Sequence, residues 1–289
     1  MASLAHAGPP TSMASVQGAG RGLTMSQAVP PASMASAEGG GRQLSIRKIE
    51  ISDLIECIEK GVKDFNRSAK YGMFFGAFYA IGGAFMLWLV LETGYFYLAY
   101  PLVMGFALLA PFGAAGTYEI SRRLEAGEPL SWGAVLGAVW NRKAGDLAWL
   151  GLVSLFTFMI WMDIAVFLYL IFYGSGLESM TQVFTSVFTT VNGMTFLVVG
   201  NAVGAIIALL VFSFTVVSPP LIVDRDVDFV TALSTSVEAV KANPRTMLAW
   251  AVVIGMDLAV SFVTFHVALL VLFPILGHTT WHLYRKMIV

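Results

Sequence analysis

Long apolar runs alternate with short polar segments that hold nearly all the charge, and this alternation sets the expected architecture. A membrane-crossing helix takes about 20 apolar residues. Four runs meet that length directly: residues 71–91, 97–117, 147–173 and 193–223. A fifth, from Thr246 to Tyr284, carries no charged residue except Asp257. As one helix it would be about 58 Å long at about 1.5 Å per residue, nearly twice the hydrocarbon thickness. It must fold back, so we expect two helices, 246–262 and 266–284, joined by a tight turn near Val263–His266. That turn contains no Gly or Pro to make it.

The charge pattern fixes how many crossings these runs make. The 17 Lys and Arg residues fall in clusters between the apolar runs. Residues 21–70 hold the largest group, Arg122-Arg123 and Arg142-Lys143 form two pairs in one loop, and Arg225, Lys241 and Arg245 form the next. Arg285-Lys286 comes last. Lys and Arg collect in cytoplasmic loops. With five crossings Arg285-Lys286 would land opposite every other basic residue; with six it rejoins them. The connections 92–96 and 174–192 contain Glu92 and Glu178 and no basic residue, as external loops should. The expected fold is all-α: a polytopic membrane bundle of six transmembrane helices, with both termini cytoplasmic.

The polar segments suggest a threefold repeat of one amphipathic helix plus two crossings. Ser52 stands before Leu54, Ile55, Ile58, Val62 and Phe65 at helical spacing, followed by Asn66-Arg67. Ser131 stands before Trp132, Val135, Leu136, Val139 and Trp140, then Asn141-Arg142. Asp228 stands before Phe229, Ala232, Leu233, Val237 and Val240, then Asn243-Pro244-Arg245. Ser and Asp cap helices well, and such helices lie flat in the headgroup layer or cover the end of a bundle. The second crossings also match without a gap. Pro111 leads to Thr117-Tyr118 and Arg122-Arg123, and Pro274 to Thr280-Trp281 and Arg285-Lys286. Pro219-Pro220 stands in the comparable place before Asp224-Arg225.

Residues 1–43 are of another kind. They are rich in Ala, Gly, Ser, Pro and Met, and residues 12–21 recur in similar form as residues 33–42. A segment with so little apolar content cannot offset its ordering entropy, so we expect a disordered tail beside an integral membrane domain at 44–289. It lacks the continuous apolar core of a signal peptide. The chain is 57% hydrophobic and 12% charged, about half the charge of a soluble domain, and its net charge of −1 gives no bulk attraction to nucleic acid. The single Cys57 excludes an internal disulfide and is expected to be a buried thiol.

Asp224-Arg225-Asp226, Ala232-Leu233-Ser234, Asn243-Pro244 and the stretch from Pro274 to Arg285 resemble a bacterial family of predicted integral membrane proteins of unknown function. Some of its members carry a cytochrome c oxidase subunit label. The resemblance covers about residues 44–289 and implies the bacterial inner membrane; it implies no reaction. Histidine tests the label: an oxidase core needs six membrane-embedded His, and this chain has 4, one of them in the tail.

Three candidate features remain. Asp163 and Asp257 each sit inside a crossing after a Met, where an acid costs at least about 2.5–3.5 kcal/mol on insertion scales. Both are expected to face the bundle interior, either on a proton or cation path or as protonated groups bonded to Ser, Thr or Asn201. His278 and His282 share a helix face, as half of a metal or haem site or as interfacial anchors beside Trp281 and Tyr284. Gly72-x-x-x-Gly76 and Gly200-x-x-x-Gly204 suit close helix packing, inside the bundle or across a homodimer. There is no phosphate-binding loop, zinc-protease motif or nucleophile elbow, so no catalytic site and no cofactor is expected. The sequence supports a non-enzymatic accessory or scaffold that binds other membrane components or itself; the alternative is a small proton, cation or solute transporter using Asp163 and Asp257.

Overall fold

Apolar helices that cannot expose backbone polar groups to lipid account for the architecture. The computed structural model describes residues 44–140, 144–174 and 179–289. The tail at 1–43, the Asn141-Arg142-Lys143 segment and Glu178 lie outside the described residues. The helices in chain order are α1 (Ile51–Thr93), α2 (Ala99–Phe106), α3 (Ala110–Gly113), α4 (Ala115–Ala126), α5 (Trp132–Trp140) and α6 (Ala144–Tyr173). They continue with α7 (Met180–Thr189), α8 (Val191–Thr215), α9 (Ser218–Asp224), α10 (Phe229–Ala242), α11 (Pro244–Val263) and α12 (Leu269–Met287).

Five helical stretches are long and apolar enough to cross a membrane: Ile51–Thr93, Ala99–Ala126, Gly145–Tyr173, Val191–Asp224 and Pro244–Val263. The sixth expected crossing, α12, is not among them because its second half is polar, with His278, Thr279, Thr280 and His282. It is a helix nonetheless, and it lies antiparallel along α1. Gly76 meets the backbone at Leu269 and Leu270, Gly61 meets Thr279, and Lys286 bonds Asp53 at 2.7 Å. The chain closes on itself at this end: Ile46 pairs with Ile288 in an antiparallel bridge, and Arg47 N donates to Met287 O at 2.8 Å.

The fold-back of the last apolar run occurs where the length argument required it. His266 N donates to Ser261 O at 2.7 Å and Phe265 N to Phe262 O at 3.2 Å, the two bonds of a Schellman motif. Phe265 (φ 49°) and His266 (φ 68°) occupy the left-handed region that Gly normally fills. The missing Gly is therefore replaced by local strain, held by the packing of buried His266.

One of the three amphipathic segments differs from expectation. The first is continuous with α1, with non-helical dihedrals at Ser68, and does not form a separate flat helix. Glu50 is its cap, with Asp53 Oδ2 accepting from Glu50 N at 2.9 Å, in place of Ser52. Its buried stripe is Leu54, Cys57, Gly61, Asp64, Phe65 and Ser68, while Ile55 and Val62 are exposed. The stripe is rotated because α12 approaches so closely at Gly61 that large side chains must point elsewhere. In the third segment the expected cap is present: Asp228 Oδ1 accepts from Val230 N at 2.9 Å and Thr231 N at 3.0 Å. Ser236 of α10 repairs the α8–α9 break before Pro219-Pro220, accepting from Val217 N at 3.1 Å and donating to Ser213 O at 2.8 Å.

Candidate functional site

Two groups of buried polar side chains stand out in a chain this apolar. The first joins α1, α4 and α12 near the basic end of the bundle. Asp64 Oδ2 accepts from Ser121 Oγ at 2.8 Å and pairs with His282 Nε2 at 2.7 Å. Ser121 Oγ also meets His278 Nδ1 at 2.8 Å. Because the Ser121 hydrogen is committed to Asp64, His278 Nδ1 must donate, which leaves a lone pair on His278 Nε2. That atom is fully buried and has no partner among the described residues. The i, i+4 spacing placed both histidines on one face, as expected; their partners come from other helices. Asp64 and Ser121 were missed, and the available signal was a carboxylate on the buried side of an otherwise apolar stripe.

The second group lies at the other end of α11. Asp257, Ser261 and His266 line one cavity of about 60 Å³ with Tyr79 and Phe273. All three are buried, with 8%, 2% and 4% of their surfaces exposed. Asp257 Oδ1, Ser261 Oγ and His266 Nδ1 have no hydrogen-bond partner among the described residues. Gly83 of α1 lets the His266 ring sit against the helix backbone; a Cβ there would lie 2.6 Å from Cδ2. Each buried polar atom left unbonded costs about 1–3 kcal/mol, so such a group calls for water, an ion or a proton to complete it.

The other expected residues fall elsewhere. Asp163 is exposed on the outside of α6 and does not face the bundle interior. That helix is apolar all round, so its sequence carries no direction from which the orientation could be read. Asn201 accepts from Tyr100 Oη at 2.7 Å and lines a separate, largely apolar cavity of about 340 Å³ with Trp161 and Phe262. Gly72 and Gly76 pack inside the molecule on α12, Gly204 packs on Trp161, and Gly200 has open space around it. No group of three or more His, Cys, Asp or Glu among the described residues could hold a metal ion, so His278 and His282 stand as a pair bonded to Ser121 and Asp64.

Ion pairs tie the basic end together. Glu119 bonds Arg122 at 2.8 Å and Arg123 at 2.7 Å, and Arg285 bridges Glu125 at 3.1 Å and Asp224 at 3.2 Å. Tyr284 Oη donates to Asp224 at 2.6 Å. Hydrogen bonding to Arg122 holds the Glu128 carboxyl below its usual range, and bonding to Asp53 and Glu56 raises the Lys286 ammonium. The result is a polar end rich in ion pairs under an apolar bundle.

Fold and surface define the class: a multi-pass integral membrane protein whose outward side chains, Phe78, Ile81, Phe156 and Phe167 among them, suit lipid. Residues 99–224 match the DUF2189 family, described as a predicted integral membrane protein. The match carries no oxidase label. No curated protein and no solved structure matches the chain.

Proposed function

We propose that the protein is a small transporter or channel for a proton, a monovalent cation or a small polar solute, with Asp257, Ser261 and His266 as its membrane site. One observation carries the reading: three buried polar atoms without a partner among the described residues face a single cavity in an apolar bundle. The cavity of about 60 Å³ is several times the roughly 10–15 Å³ that one water needs. An acid, a hydroxyl and an imidazole offer donors and acceptors to a guest and can pass a proton among them. Asp163 takes no part in this site. In the proposed topology the chain crosses the bacterial inner membrane six times as three repeats, with both termini cytoplasmic. The shared end of residue 46 and residue 288, beside Arg225 and Arg285, supports it.

Purified protein in liposomes should dissipate an imposed proton or cation gradient faster than empty liposomes. Asp257→Asn should abolish the flux with unchanged melting, since Asn keeps shape and a hydrogen bond but exchanges no proton. Wild-type flux equal to that of empty liposomes for protons, Na⁺, K⁺ and glycerol would remove the reading. The second reading is an accessory protein that binds other membrane components, favoured by the ion-paired platform at the basic end. Purification in mild detergent with mass spectrometry of the co-purifying material distinguishes it.

A further inference from the structure

The basic end holds a further cavity, of about 390 Å³, between α1, α4 and α12. Lys60, Lys63, Arg67, Arg285 and Lys286 line it. Two carboxylates face the same space, and both are engaged: Asp64 by Ser121 and His282, Glu125 by Arg285 and by Trp281 Nε1 at 3.0 Å. Lys63 and Arg67 are exposed and carry no ion pair among the described residues. The cleft therefore presents surplus positive charge without an internal counterion. Lys and Arg together, with several N–H groups converging, suit a phosphate more than a single carboxylate.

The same face of α1 continues into lipid. Lys60, Lys63 and Arg67 are followed at three- and four-residue steps, beyond the Ser68 kink, by Tyr71, Phe74, Phe78, Ile81 and Phe85. Phe78 and Ile81 are among the most exposed apolar side chains, at 72% and 69%. Between the two zones Trp132 packs on Tyr71 and Phe74, with ring centroids 4.6 and 5.3 Å away. A Trp–Tyr pair of this kind marks the headgroup level of a bilayer. Cations one to two turns beyond that level, and an exposed apolar stripe below it, match the two ends of one amphiphile.

We propose that the α1–α4–α12 cleft binds the phosphate of an anionic phospholipid, with Lys63 and Arg67 as the main contacts and the acyl chains along Phe74, Phe78 and Ile81. The site is independent of the Asp257 cavity, so either can fail without the other. A basic residue near the surface is worth about 1 kcal/mol toward anionic lipid, so losing both should cost roughly tenfold or more in affinity.

The test is lipid retention by native mass spectrometry, with the full chain taken from nanodiscs of phosphatidylglycerol mixed with phosphatidylcholine. Wild type should retain phosphatidylglycerol preferentially. Lys63→Gln with Arg67→Gln should lose that preference about tenfold, while Lys63→Arg with Arg67→Lys should keep it. Lys48→Gln with Arg245→Gln removes the same charge outside the cleft and should also keep it. Melting of each variant shows that the exposed substitutions leave the fold intact. Equal retention of the two lipids by wild type, or a preference that survives the Gln pair, would overturn the proposal. Displacement of phosphatidylglycerol by millimolar inorganic phosphate would also overturn it, by assigning the cleft to a soluble ion.

Discussion

Replacing Gly76 by Ala tests the close approach of the α1 and α12 backbones. A Cβ at Gly76 would lie 2.6 Å from Leu269 O, 2.8 Å from Leu270 O and 2.9 Å from Leu270 Cα. All three are backbone atoms, so no side chain can swing aside. Ordinary contact needs about 3.5–4.0 Å, so α1 and α12 would have to part by roughly 1 Å locally. Overpacking of this kind costs about 1–3 kcal/mol, against a gain of about 0.8–1 kcal/mol from the better helix former. The net expectation is a loss of about 0–2 kcal/mol, against a gain at a glycine with open space around it. Gly200 is the internal control: it is helical, and a Cβ there meets nothing within 4 Å. Gly200→Ala should gain about 0.5–1 kcal/mol from propensity alone. Unfolding of both variants in the same mild detergent, followed by tryptophan fluorescence, gives the comparison directly. If Gly76→Ala is as stable as Gly200→Ala, α12 does not lie against the α1 backbone and the architecture is refuted.

Four further outcomes follow from the same structure. Phe265 is exposed and left-handed, so Phe265→Gly should be neutral or stabilising and Phe265→Val destabilising by about 1 kcal/mol in the same melts. Asp228→Ala should cost about 1 kcal/mol by removing the α10 cap. Bonds from Thr231 hold the Asp228 carboxyl below its ordinary 3.8, so this contribution is present above that pH and fades as pH falls below it, which a melting series down to about pH 3 would show. Deleting residues 1–43 should leave insertion and melting unchanged, and loss of folded protein would show that the tail docks. Reporter fusions after Asn192 and after Val289 should report opposite sides of the membrane; the same side would remove the six-crossing topology.

Apolar run length, by itself, determined that the chain is a helical membrane protein and that its last run must fold back near Val263–His266, because helix rise and bilayer thickness are fixed. Asp228 as a cap, Cys57 as a buried thiol and the shared face of His278 and His282 were equally legible, since each depends only on local geometry. Direction was not legible. Asp163 and Asp257 have nearly the same local sequence, yet one is exposed and the other buried, because an all-apolar helix does not say which side its neighbours occupy. Asn201 found Tyr100, which lies 101 residues away in the chain, and no acid. Only tertiary packing brought Asp64, 57 residues from Ser121 and 218 from His282, into one network. Only packing set His266 beside Asp257, through a strained turn that no local propensity favours and that the approach of its ring to Gly83 holds in place.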